Sequence, residues 1–255
     1  MFGKFFKKKG TTDAARSVPP DTDPVADALF RAIAEQKKED PLVGLKIGGK
    51  EVLAHLMGAM KSERGVHIES LLSILGSLAG FSCQMSIRAE LQGTPEAATA
   101  KPFVVLGGAN GKKYFFGDAL NRPLAESQYS IWGLTGGAAQ HLGCKDLPDL
   151  NEVFKHVAGT VGTEGFGIPR IPENHRPSDL PINYVKAVWP KLLPIASRFC
   201  DKPSEWPILF GLAIQEAMYQ SKGVIDPKLA MSIVMESAIP MSKIDPAEVG
   251  CLEAQ

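Results

Sequence analysis

A chain of 255 residues, 44% hydrophobic and 22% charged, has the composition of an ordinary globular protein and can bury a core without staples. Net charge is zero, with 28 basic and 28 acidic residues, which argues against a broad nucleic-acid surface. Lys4, Lys7, Lys8 and Lys9 nevertheless put four positive charges in the first ten residues, so the rest of the chain carries four net negatives.

Residues 1–24 read as a basic and aromatic tail followed by a polar, proline-bearing linker. Phe2, Phe5 and Phe6 are placed to insert at a lipid interface while Lys4, Lys7, Lys8 and Lys9 meet anionic headgroups. Each lysine would contribute on the order of 1 kcal/mol near such a surface. The competing reading is a solvated terminus. No apolar run or small-residue cleavage site accompanies the lysines, so the segment does not read as a signal peptide.

A first helix is expected over residues 25–37, with Val25, Leu29 and Ile33 on one side. Residues 41–47 form a short apolar piece, read as a strand and closed by Gly48-Gly49. A second helix follows over 50–62. Residues 66–91 look like the organising element. Ile68, Leu71, Leu72, Leu75 and Ala79 fall at helical spacing. Gly80 then offers the left-handed conformation that closes a helix. From Phe81 the apolar residues alternate with Ser82, Gln84, Ser86, Arg88 and Glu90, which is strand periodicity with one wet face. Gly76 and Gly80, four apart, also permit another helix to come close. Split in this way, no stretch has the length of a transmembrane helix.

Apolar runs at 103–106 and 114–116 flank Asn110-Gly111, the strongest short-range hairpin signal. The glycines and Lys112 there do not make a phosphate loop. Only three residues separate Gly107 from Gly111, and Lys113 stands where serine or threonine is required. A glycine-containing helix is expected over 124–141. His141 and Cys144 have dyad spacing, but Gly143 between them favours a helix end. Asp149 or Asn151 caps a helix reaching residue 158.

Residues 159–181 contain four glycines and four prolines, an uncommon length of irregular chain for a compact domain. Glu164, Arg170, Glu173, His175, Arg176 and Asp179 concentrate acids, bases and anion partners there. Beyond it the chain is helical. Pro190 and Pro194 should kink or divide a helix over 182–199. Asp226-Pro227 and Asp245-Pro246 mark two helix starts. Met218, Met231, Met235 and Met241 read as adaptable core. Cys83, Cys144, Cys200 and Cys251 are scattered without a Cys-x-x-Cys pair, so a reducing compartment is expected, with neither a disulfide framework nor a metal site.

These readings give an α+β fold, mainly helical. It has a three-stranded antiparallel sheet (about 81–91, 102–107 and 112–117) and a helical C-terminal half. The expected organisation is a tail over 1–24, an α+β core over 25–158, a loop over 159–181, and a helical region over 182–255 packed on the core. No catalytic spacing survives inspection. The expected function is a non-enzymatic cytoplasmic interaction or regulatory module, held weakly at the inner membrane surface by its tail. Its partner would be a protein, with no nucleic acid, cofactor or metal. One alternative is a small-molecule-binding protein or enzyme with its site under the 159–181 loop. There His175 would be the acid/base, with Arg170, Arg176, Glu164 and Asp179 around the ligand. The other alternative is a subunit of a larger assembly.

Overall fold

A computed structural model of the chain describes residues 24–95 and 99–251. The tail positions Phe2, Lys4, Phe5, Phe6, Lys7, Lys8 and Lys9 lie outside the described residues. The elements are α1 (Pro24–Gln36), α2 (Val43–Met60), α3 (Ile68–Leu91), β1 (Val104–Gly107), β2 (Lys113–Phe116) and α4 (Asp118–Asn121). They continue with α5 (Ile131–His141), α6 (Leu150–Thr160), α7 (Pro181–Ser197), α8 (Trp206–Gln220) and α9 (Pro227–Met241). The chain is mainly helical with a two-stranded antiparallel sheet.

The expected strand over 81–91 is the second half of α3, which runs unbroken for 24 residues. The alternation misleads because its first three polar members are buried too. Ser82, Gln84 and Ser86 are all 2% exposed or less. The serine hydroxyls donate to carbonyls of the preceding turn, Ser82 to Ala79 at 2.6 Å and Ser86 to Cys83 at 3.1 Å. A helix apolar on most of its surface, with these serines satisfied by its own carbonyls, belongs in the centre of a domain. The exception is the buried Gln84 amide, which has no partner among the described residues. His67 caps its start, accepting the Ser70 amide, and Glu69 and Arg88 sit at the ends the helix dipole favours.

Gly80 is therefore no corner, and it is not left-handed. It is a point of contact. A Cβ there would lie 1.9 Å from the Ala238 carbonyl oxygen, and one on Gly76 would lie 2.6 Å from that of Val234. The two glycines let α9 cross α3 with backbone nearly touching backbone. Ser73 and Ser237 share a 2.9 Å hydrogen bond across the same crossing.

Read as one element, α3 has the length and apolarity to cross a bilayer, with mean hydropathy 1.4 over its best window. It is the one described helix that does, and 89% of that window is buried inside the protein.

The same misreading applies at Gly48-Gly49, which lie inside α2. A Cβ on Gly48 would meet Phe199 at 2.6 Å, and one on Gly49 would meet the Ala213 amide nitrogen at 3.1 Å. They allow α2 to pack against α8. The 41–47 segment thus supplies the first turn of a helix rather than a strand. The α8 helix also packs on α3 and α5, while α7 touches α2, α3 and α9, so the C-terminal helices interleave with the N-terminal ones. Pro190 and Pro194 lie within α7 without dividing it. Trp189 packs edge-on to Phe81 at 5.0 Å between ring centroids. All four expected core methionines are at most 1% exposed.

The hairpin forms as its turn dictates. Gly111 takes φ +77°, a left-handed value glycine adopts without penalty. The register pairs Val104 with Phe116, Val105 with Phe115, Leu106 with Tyr114 and Gly107 with Lys113. The segment on the far side of β2 is 243–244. Tyr114 bridges Ile244, and the Phe115 amide donates to the Lys243 carbonyl at 2.8 Å.

The expected helix over 124–141 is broken. A π-turn spans Arg122–Glu126, and α5 starts only after Ser130, whose hydroxyl accepts the Gly133 amide. Asp149, Asp226 and Asp245 cap the elements that follow them, accepting amides one or two residues into each.

Candidate functional site

The 159–181 segment is strapped to the body by polar clasps. Arg170 reaches Glu236 on α9, with Nη2 2.7 Å and Nε 2.9 Å from Oε1. Its backbone amide donates to the other oxygen at 3.3 Å. Glu236 is 6% exposed, so Arg170 neutralises a carboxylate otherwise stranded in the core. His175 Nδ1 lies 2.8 Å from Glu69 Oε1 at the start of α3. The Ser178 amide donates to the Ser70 hydroxyl at 2.9 Å. The Asp179 amide donates to the Tyr184 hydroxyl, and its carboxylate accepts from Leu180 and Asn183. Among the described residues Arg176 pairs with its neighbour Glu173, on the surface.

Around the start of α3 these bonds imitate a catalytic relay. Glu69 Oε2 is 3.3 Å from His67 Nε2, and His67 Nδ1 is 2.8 Å from Ser70 Oγ. Burial raises the Glu69 carboxyl, but the His175 hydrogen bond, its own backbone amide and the charges of His67 and His175 together hold it below its ordinary value. Chemically the order carboxylate, imidazole, hydroxyl is that of an activated nucleophile. Access is the missing element. Ser70 is 1% exposed, and Ser178 contacts it through both amide and hydroxyl, occupying the face a substrate would need. The group is a clasp.

A cavity of about 320 Å³ does lie beside the strap, at its glycine-rich beginning. Phe166, Ile182, Met241 and Ile244 give it apolar walls, and Lys112, Glu164 and Glu248 give it polar ones. Lys112 and Glu248 form an ion pair, and that hydrogen bond holds the Lys112 ammonium above its ordinary range. Gly162 rests directly on the hairpin loop: a Cβ on Gly108 would come 2.8 Å from the Gly162 Cα. Of the five residues singled out on the strap, only Glu164 lines this cavity; His175, Arg170, Arg176 and Asp179 do not. His141 and Cys144 have separate partners, the Tyr219 ring at 5.4 Å and the Asp146 carbonyl at 3.4 Å.

Two features carried no signal in the sequence. The first is Lys243, 1% exposed, with its ammonium 5.3 Å from the Phe116 ring and 6.0 Å from that of Phe154. Burial pushes its pKa down to about 8. Burial also pushes the neighbouring Cys83 thiol up to about 12, which makes it inert as a nucleophile. Among the described residues no group of three or more His, Cys, Asp or Glu side chains is placed to hold a metal.

The second is the outer edge of the hairpin. The expected strand forms, and β1 is exposed along its whole length: Val104 58%, Val105 53%, Leu106 43%. The ladder fixes which backbone groups are free. The Gly108 amide bonds back to Lys112, and the Phe115 amide points away to Lys243. Antiparallel pairs alternate between bonded and non-bonded. Val104 and Leu106 therefore bond to β2, while the amides and carbonyls of Val105 and Gly107 face outward. The edge thus presents backbone donors and acceptors flanked by apolar side chains on both faces.

No protein-family model, no curated protein and no solved structure matches this chain.

Proposed function

We propose that this protein is an interaction module that accepts an extended segment along the free edge of β1. The observation that carries the reading is the exposure of every residue of Val104–Gly107 on a strand whose alternate backbone groups point outward. Proteins ordinarily blunt such an edge with a very short strand, lysine, proline, a bulge or a covering element. Of these β1 has only its shortness, four residues of sequence Val-Val-Leu-Gly. An uncovered apolar edge is the receptor geometry of strand addition, in which main-chain bonds give affinity and alternate side chains give specificity.

Nuclear magnetic resonance with a soluble octapeptide of alternating valine and threonine as the probe tests this. At millimolar peptide, the Val105 and Gly107 amides should shift and exchange more slowly. The Val104 and Leu106 amides, already bonded to β2, should keep their exchange rates. Unchanged Val105 and Gly107 amides would refute the docking edge.

A second reading is supported by the cavity beside the strap. Its volume of about 320 Å³ and mixed lining suit a small amphipathic molecule. Glu164, in its wall, is the residue through which such a ligand would be felt. A fragment screen read on the methyl signals of Met241 and Ile182 tests it, and the absence of any hit that moves those methyls would remove it.

A further inference from the structure

We infer that the cavity beside the strap takes a small organic cation, a protonated amine on an aromatic body with a carbonyl oxygen close by. This rests on the cavity reading above and names the chemistry of its ligand.

Most polar groups in the wall are already spent. Lys112 and Glu248 are paired with each other. The Thr163 hydroxyl donates to the Thr160 carbonyl at 2.8 Å and accepts the Gly165 amide at 3.2 Å. The Asn110 side-chain oxygen accepts the Lys112 amide at 3.1 Å, which turns its Nδ2 to the Tyr114 hydroxyl at 3.0 Å. Two groups in the wall are left over. The Glu164 carboxylate has no ion pair or hydrogen bond among the described residues. Tyr114 is 2% exposed, its oxygen accepts from Asn110, and its proton has no acceptor among the described residues.

These leftovers set the polar pattern of the ligand. An ionised carboxylate takes a cationic donor, and a phenol proton takes an oxygen. The charges agree: the wall holds one ammonium, Lys112, against two carboxylates, Glu164 and Glu248, which leaves one net negative. An anion would have to draw Lys112 from Glu248 and lie against Glu164 as well.

The rest of the wall suits a ring. Phe166 stands edge-on to Tyr114 at 4.7 Å between ring centroids, and a third ring extends that pair in a geometry aromatic groups prefer. Met241, 1% exposed, adds a thioether that rings contact favourably. The volume of about 320 Å³ is that of about ten liquid waters. A ligand of that size binds with a dissociation constant on the order of 0.1–1 mM.

Titration of the full chain with three probes, read on the Met241 and Ile182 methyl signals, tests the inference. Phenylalaninamide, 3-phenylpropionamide and 3-phenylpropionate share one frame and are cationic, neutral and anionic at about pH 6. Phenylalaninamide should bind at least threefold more tightly than the neutral amide, and the neutral amide more tightly than the carboxylate. Glu164→Gln changes an exposed side chain and should bring the two amides to equal affinity. Tyr114→Phe should weaken both amides alike, by about two- to tenfold, and keep the preference for the cation.

A neutral amide or carboxylate that binds as tightly as phenylalaninamide would overturn the cation and leave the cavity reading standing. A Glu164→Gln variant that keeps the full preference would overturn the role of that carboxylate, and with it the inference. Unchanged affinities in Tyr114→Phe would overturn the carbonyl contact. Methyl signals that none of the three probes moves would remove the cavity reading and the inference together.

Discussion

Replacing Gly80 by alanine tests the crossing on which the core is built. The added Cβ would lie 1.9 Å from the Ala238 carbonyl oxygen and 2.6 Å from its carbonyl carbon and Cα. A relaxed carbon-to-oxygen contact needs about 3.3 Å, so α3 and α9 must part locally by more than 1 Å. Both neighbours are main chain, so no side-chain rotation relieves the clash. Overpacking of a core costs about 1–3 kcal/mol and sometimes more. Alanine's better helix propensity returns about 1 kcal/mol. With both neighbours main chain the cost falls at the upper end of that range, and the net expectation is a loss of about 2 kcal/mol.

Gly76→Ala, at 2.6 Å from the Val234 oxygen, should be milder. Gly58→Ala is the control. It lies on the exposed side of α2 with nothing within 4 Å of its Cβ position. It should stabilise by about 0.5–1 kcal/mol. Urea unfolding followed by circular dichroism gives all three midpoints. A Gly80→Ala variant as stable as wild type, or an order in which Gly80 is no worse than Gly58, would refute the close crossing.

Three further outcomes are expected. Arg170→Met strands the Glu236 carboxylate and should cost about 2 kcal/mol at neutral pH, with part recovered on adding Glu236→Gln; urea midpoints of the single and double variants check this. Lys243 has its folded pKa at about 8 against 10.5 for the free side chain. Below pH 8 both states carry the ammonium and the folded state bears the burial penalty, about 3 kcal/mol. Between pH 8 and 10.5 the unfolded chain binds the extra proton, so stability rises with pH. Lys243→Met should therefore gain about 3 kcal/mol near pH 7, shrinking toward zero by pH 10.5, in urea melts across that range. The tail bears on localisation. If Phe2, Phe5, Phe6 and the adjacent lysines hold a membrane surface, deleting residues 1–10 should abolish flotation with anionic vesicles at low salt, and equal flotation of both forms would sink that idea.

What was legible in the sequence was whatever depends on local chemistry. Asp149, Asp226 and Asp245 announced their helices because an aspartate cap satisfies an amide within three residues. Asn110-Gly111 announced the hairpin because its turn needs a left-handed residue. The failures share one cause. Gly48, Gly49 and Gly80 were read as helix or strand punctuation, whereas each sits inside a helix where another element packs closely; for Gly76 and Gly80 the four-residue spacing did announce that a helix could come close. A small residue needed for proximity and one needed for conformation look alike until the neighbour is known. Ser82 and Ser86 misled in the same way: their hydroxyls are satisfied by the helix itself, so a buried face looked wet.

The strap shows a similar limit on chemistry. His175, Arg170 and Asp179 are the residue types of a site, and their partners Glu69, Glu236, Tyr184 and Asn183 make them fasteners. Those partners come from α3, α7 and α9, and for Glu69 and Glu236 lie more than 60 positions away in the chain. The exposed edge was hidden for the opposite reason. An apolar run does not say whether its strand is central or at an edge, and only the fold reveals that no described residue covers Val104, Val105 and Leu106.

Residue-resolved amide exchange on dilute protein is the most direct test of that uncovered edge. The Val105 and Gly107 amides should exchange at nearly the rate of an unstructured chain, while those of Val104 and Leu106 are slowed by their bonds to β2. Protection of Val105 and Gly107 in the dilute monomer would contradict the account, because it would mean that the chain already covers its own edge.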